Sequence, residues 1–67
     1  MGYPNLKMEL FKKNITLEEI AKYLNIHRNS VSNKINGHNS FSIEEASKLQ
    51  QRYFPTMKME YLFKKED

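Results

Sequence analysis

The stretch from Thr16 to Gly37, TLEEIAKYLNIHRNSVSNKING, leaves the chain few folds to choose from. It parses as two short amphipathic helices joined by a tight turn. Thr16 is the expected N-cap, with Glu19 three residues on to complete a capping box, and Ile15 and Ile20 stand at the spacing of a hydrophobic staple. Ile20, Ala21 and Leu24 repeat at helical period, which predicts a helix over about 17–24. Asn25 tolerates a left-handed backbone better than any residue but Gly, so the helix can stop there and turn. Ile26 and Val31 repeat the staple spacing around His27. Gly37 is the expected stop of a second helix, about 28–36.

That second helix is lopsided. At roughly 100° per residue, Arg28, Asn29, Ser32, Asn33 and Asn36 share an arc of about 140° that holds no apolar residue, while Val31 and Ile35 lie together outside it. Nine residues with so little apolar surface are held by their neighbours and not by their own propensity. Asn and Ser are indifferent helix formers, so helix stability does not explain them. Reading base edges does: Arg pairs with guanine at O6 and N7, and Asn with adenine at N6 and N7.

The two helices resemble the helix-turn-helix of the Cro and phage-repressor (Xre) family, with its pattern T-x-E-E-[IL]-A-x-x-[LI]-x-I-x-x-x-[ST]-V-S-x-x-[IL]-N-G. Thr16, Glu18, Glu19, Ile20, Ala21, Leu24, Ile26, Ser30, Val31, Ser32, Ile35, Asn36 and Gly37 stand in that register. The likeness continues through SFSIEEASKLQQRYF and MEYLF. Three positions depart from the family: Asn25 replaces the usual Gly, Leu17 a polar phosphate-contacting residue, and His27 a Ser or Thr cap. Some members join the first helix to the end of the recognition helix by a charged pair. The matching positions here are Leu10 and Ile35, where an apolar contact would brace without the desolvation cost of buried charge.

The resemblance implies an all-α, compact five-helix, lambda-repressor-like DNA-binding domain over residues 1–67. It implies a sequence-specific transcriptional regulator of double-stranded DNA, Cro- or repressor-like and of phage or prophage relation. One helix rests across the backbone and the next enters the major groove. Arg28, Asn29, Ser32 and Asn33 are the expected base readers. Thr16, Lys34, His38 and Asn39 are the expected phosphate contacts, with backbone amides of the loop after Gly37 also available. The expected partners are an operator duplex and a second copy of the chain, as a weak homodimer or a dimer formed on DNA, for which Met57 and Phe63 of the last helix offer apolar surface.

The charge agrees with such a partner. Residues 1–37 hold six of the eleven Lys and Arg and only three of the eight Asp and Glu, so the whole net excess of +3 lies in that half. Phosphate attraction explains it, and so does an ordinary lysine-rich surface. There is no Cys for a disulfide or a thiolate metal site,. Two histidines eleven residues apart make no zinc site. No stretch approaches the roughly 20 apolar residues of a membrane helix, and a cytoplasmic protein is expected. No nucleophile–base set and no glycine-rich phosphate loop supports catalysis, so no enzyme, cofactor or small-molecule substrate is expected. The competing class is a protein-interaction module, such as an antitoxin or antirepressor on the same fold.

The flanks complete five helices. Pro4 or Asn5 opens the first, with Leu6 and Leu10 as its stripe, Phe11 at the margin, and Lys12 and Lys13 facing its own dipole. Ser42 and Glu45 form a second capping box with Phe41 and Ala46 as staple. This predicts a helix to about Tyr53 with Ile43, Ala46, Leu49 and Tyr53 toward the core, stopped by Pro55. A last helix is expected over about 57–64. The sequence assigns no role to Met1 and Gly2, and the tail 64–67 is expected to fray.

Overall fold

A computed structural model describes residues 2–66. It contains α1 Pro4–Lys12, α2 Leu17–Leu24, α3 Arg28–Ile35, α4 Ile43–Tyr53 and α5 Met59–Leu62. Leu6, Ile20, Val31, Leu49 and Leu62 are fully buried and Phe54 nearly so, with one of the five leucine, isoleucine and valine side chains coming from each helix. Leu10 and Ile35 join the same core, as the apolar brace between α1 and α3 requires.

The first three helices end in the same way. Asn14, Asn25 and Gly37 take left-handed φ values of 57°, 59° and 89°. In each case that residue's N–H reaches three residues back, and the next N–H reaches five back. Asn14 donates to the Phe11 carbonyl and Ile15 to that of Leu10; Asn25 to Lys22 and Ile26 to Ala21; Gly37 to Lys34 and His38 to Asn33, all between 2.9 and 3.3 Å. This pattern satisfies carbonyls that a helix end otherwise leaves orphaned. Ile15 and Ile26 each immediately precede the next N-cap and pack on the core. Each isoleucine therefore closes one helix and staples the next one.

Several expectations change on contact with tertiary structure. The Thr16 hydroxyl accepts the Glu19 N–H at 3.1 Å, but the Glu19 carboxylate does not return the bond, so this cap is half a box. The Ser42–Glu45 box is complete. Ile43 is not core: it is 87% exposed. It lies about 90° around the helix from the middle of the Ala46–Leu49–Tyr53 stripe. Phe11 is 82% exposed and so stands off its stripe altogether. Met57 and Phe63, expected to offer free apolar surface, pack against the core. The last helix shrinks to the single turn of α5, which has no side-chain cap. After it the chain runs back so that the Glu66 N–H donates to the Gly2 carbonyl at 3.1 Å. The tail through Glu66 is thus held, and Gly2 belongs to the fold; Met1 and Asp67 lie outside the described residues.

Long-range polar contacts finish the packing. Lys13 does not serve the α1 dipole. Its ammonium donates to the Tyr53 carbonyl at the end of α4, at 2.7 Å, and sits 5.0 Å from the Phe54 ring centroid. Gln50 donates to the carbonyls of Phe54 and Met57 and shapes the turn into α5. The Tyr61 hydroxyl donates to Glu9, a buried acid of α1, at 2.8 Å, and that bond raises the Tyr61 pKa.

A non-glycine residue in the left-handed region costs about 1–2 kcal/mol, with Asn the least penalised. Asn25→Ala is therefore expected to lower unfolding free energy by about 1–2 kcal/mol in urea melts, and Asn25→Gly to leave it equal or higher. Equal stability of the alanine variant and the unsubstituted protein would show that the α2–α3 turn is not held in this conformation.

Candidate nucleic-acid interface

The site is built on α3, and α3 is gripped from the inside and at both ends. Val31 and Ile35 are its buried residues. At the start, His27 occupies the cap position: its Nδ1 accepts the Asn29 N–H at 3.1 Å, so an imidazole does what Ser or Thr does elsewhere in such motifs,. At the other end the Gly37–His38 closure is joined by a bond from outside the helix. The Tyr3 N–H donates to the Ile35 carbonyl at 3.2 Å. The chain approaches so closely there that a Cβ on Gly2, at φ +100°, would lie 2.5 Å from that carbonyl oxygen. The Tyr3 hydroxyl then accepts the Phe41 N–H at 3.1 Å, and the Tyr3, Phe41 and Phe63 rings pack with centroids 5.3–5.9 Å apart. One tyrosine thus joins the end of α3 to the loop that leads into α4.

The outer face follows from the inner one. With Val31 and Ile35 pointing inward, Asn33 lies roughly 180° from the middle of that stripe. Asn29 lies about 140° away, Asn36 and Ser30 about 120°, Ser32 about 80° and Arg28 about 40°. Asn29, Asn33 and Asn36 are exposed, and Ser32 is half-buried. Asn36 Nδ2 donates to Ser32 Oγ at 3.4 Å. Arg28 sits at the first position of α3, where the chain has only just turned outward. Its Nε lies 2.9 Å from Glu18 Oε2 in the first turn of α2. The polar arc read from the sequence is therefore present on one helix, with Arg28 at the edge nearest the buried stripe and Asn33 at the other edge, directly opposite it.

The expected phosphate contacts separate. Thr16 is exposed at the start of α2, with its hydroxyl oxygen accepting the Glu19 N–H. His38 and Asn39 are exposed, but their amides both turn back to the Asn33 carbonyl, at 2.9 and 3.3 Å, and are not free to meet phosphates as expected. Lys34 needs a larger correction. Its ammonium lies 3.1 Å from Glu45 Oε1 and 3.1 Å from the Ser40 carbonyl, and its side chain is 18% exposed. Its role is to tie α3 to α4. Glu45 stands eleven residues away on another helix, so no sequence spacing signals the pair. Lys7 enters instead. It is exposed, has no ion pair among the described residues, and lines one open groove with Ser32 and Asn36. A free cation thus stands beside the outer face of α3, where the helical period of α1 alone gives no hint of it.

Among the described residues no cluster of His, Asp or Glu is arranged to hold a metal ion, and no helix is long and apolar enough to cross a membrane. A helix-turn-helix family model matches residues 6–54, from the third residue of α1 to the end of α4. No curated protein and no solved structure matches the chain.

The Lys34–Glu45 tie should be visible in acid. Burial pushes the Glu45 pKa up, but the Ser42 backbone N–H and the Lys34 ammonium outweigh it and hold the group below its ordinary value. A carboxylate depressed on folding stabilises above its unfolded pKa, and that stability is lost as pH falls through the folded value. Glu45→Gln is expected to cost up to about 1 kcal/mol at neutral pH. The gap should close as the pH is taken down to about 3, below the usual carboxylate range. A gap that stays constant across a pH series of thermal melts would remove the charge from this account.

Proposed function

Since the chain belongs to the helix-turn-helix family, of the Cro and phage-repressor type, whose members are DNA-binding regulators, we infer that it is a sequence-specific regulator that reads double-stranded DNA with α3. The observation that carries this reading is the division of labour on α3. What holds the helix lies on Val31, Ile35, Lys34 and the two ends, and the face opposite the buried pair bears Asn33, Asn29 and Asn36 with no apolar residue. Asparagines projecting from a firmly held helix match the donor and acceptor pairs of adenine in the major groove. With α3 in the groove, α2 crosses the backbone. Asn29, Ser32, Asn33 and Arg28 take the base edges, and Thr16, Lys7 and the side chains of His38 and Asn39 take phosphates. A protein-binding surface would instead place aromatic anchors at the centre of the face. Of the most exposed apolar residues, Ile43 lies on α4 and Phe11 on α1, where it lines the groove that Lys7 shares with Ser32 and Asn36; neither belongs to the outer face of α3 itself.

Binding is read by fluorescence anisotropy on a duplex selected by the protein from a randomised pool and on the unselected pool, at two salt concentrations. Asn33→Ala is expected to lower the preference for the selected duplex by about 1–3 kcal/mol. Lys7→Ala should weaken both duplexes alike and flatten the dependence of log affinity on log salt by about one unit. Lys34→Ala should show itself first as lost stability. If Asn33→Ala and Lys7→Ala reduce both duplexes in the same proportion, α3 does not read sequence, and the antitoxin or antirepressor reading takes precedence.

Two copies on neighbouring half-sites complete the proposal, since eight helical residues contact few base pairs. Protected half-sites should lie about one helical turn apart, near 34 Å. Footprints that show single, unpaired half-sites would count against pairing.

A further inference from the structure

The ion pair between Arg28 and Glu18 crosses the turn, from the first residue of α3 to the second of α2. Two features of it decide what it does. Both side chains are exposed, 57% for Arg28 and 66% for Glu18, so the contact adds little to stability. And the contact runs through Nε, at 2.9 Å. A guanidinium carries five N–H donors in a rigid planar fork, one of them on Nε and four on the two terminal nitrogens. A carboxylate at Nε therefore fixes the plane of the fork while the terminal pair can still meet two acceptors side by side, which is the arrangement that guanine O6 and N7 present. An unrestrained arginine at the margin of the arc has another choice. Its long, mobile stem lets it reach a phosphate, which carries no sequence information.

We propose that Glu18 is a specificity-determining positioning residue, which holds Arg28 for a guanine and away from the phosphates. This rests on the reading of α3 as the DNA-contacting helix. Glu18 acts twice. Its bond to Nε restrains the fork, and its negative charge near the backbone weakens binding to every duplex, the matched one least because Arg28 is engaged there. The result is selectivity gained at the expense of raw affinity. A purely structural first-turn acid, favourable to the α2 dipole, would affect melting and leave base preference alone.

The test compares the unsubstituted protein with Glu18→Ala, Glu18→Gln, Arg28→Ala and the double variant Glu18→Ala/Arg28→Ala. The probes are the duplex selected from a randomised pool, the same duplex with each G·C pair changed in turn, and the unselected pool. An exposed pair of this kind supports effects of about two- to five-fold. Glu18→Ala is expected to bind the unselected pool about two- to five-fold tighter and to lose about two- to five-fold of its preference for guanine at one position in each half-site. Glu18→Gln keeps an oxygen for Nε without the charge, so pool binding should tighten while most of the guanine preference stays. In the Arg28→Ala background, removing Glu18 should leave that base position unaffected. The proposal falls if Glu18→Ala leaves guanine preference unchanged, or changes it equally with and without Arg28. A protein that selects no sequence from the pool would overturn the DNA reading itself, whereas normal selection indifferent to Glu18 overturns this inference alone.

Discussion

The structure depends on gripping a helix that cannot hold itself. α3 has eight residues, and only Val31 and Ile35 are buried. Helices of this length are marginal in water even with good formers, and Asn and Ser are not good formers. What propensity does not supply, the surroundings do. An imidazole caps the first turn, a left-handed glycine closes the last one, and the Tyr3 amide takes the Ile35 carbonyl. Tyr3 also meets the loop after α3 through its hydroxyl, and Glu66 holds down Gly2 beside it. The two ends of the chain are brought together at the end of the very helix whose outer face is left free.

A second economy lies in the turns. Asn14, Asn25 and Gly37 stop three successive helices by the same pair of backbone bonds, and the residue after each of the first two is an isoleucine that belongs to both neighbours. The turn that ends one helix is the staple that starts the next. Local preference and global packing then agree at each corner, which is the condition for one fold to stand clear of its competitors.

Such agreement explains what the sequence makes legible. Thr16, Asn25, Ser42 with Glu45, and Gly37 announce themselves because caps and left-handed stops work within a few residues, where spacing carries the information. The Leu10–Ile35 brace was legible only through family resemblance. Asn14 escaped notice because no periodic gap marks it. Contacts between distant residues leave no such trace. Tyr61 meets Glu9 across 52 positions, Lys13 reaches Tyr53 across 40, and Lys34 pairs with a glutamate of another helix. In the site, the polar arc and its relation to Val31 and Ile35 were readable, because both follow from the helical period, but the partners of its side chains on other helices were not. Ile43 was misplaced by a quarter-turn from its own helical stripe, and the unseen pair with Glu45 let Lys34 be expected at a phosphate although its ammonium ties α3 to α4.

The separation of inner from outer surface on α3 has a consequence for how such a chain can change over generations. Among the described residues the side chains of Asn29 and Asn33 make no hydrogen bond, and that of Ser32 makes only a long one, accepted from Asn36. Replacements there leave the helix caps, the buried pair and the amino-terminal clip untouched. Surface substitutions of that kind stay within about 0.5 kcal/mol, so a lineage can alter the exposed letters of α3 one by one without passing through an unfolded ancestor. The frame is inherited, and the wording on it is open to revision.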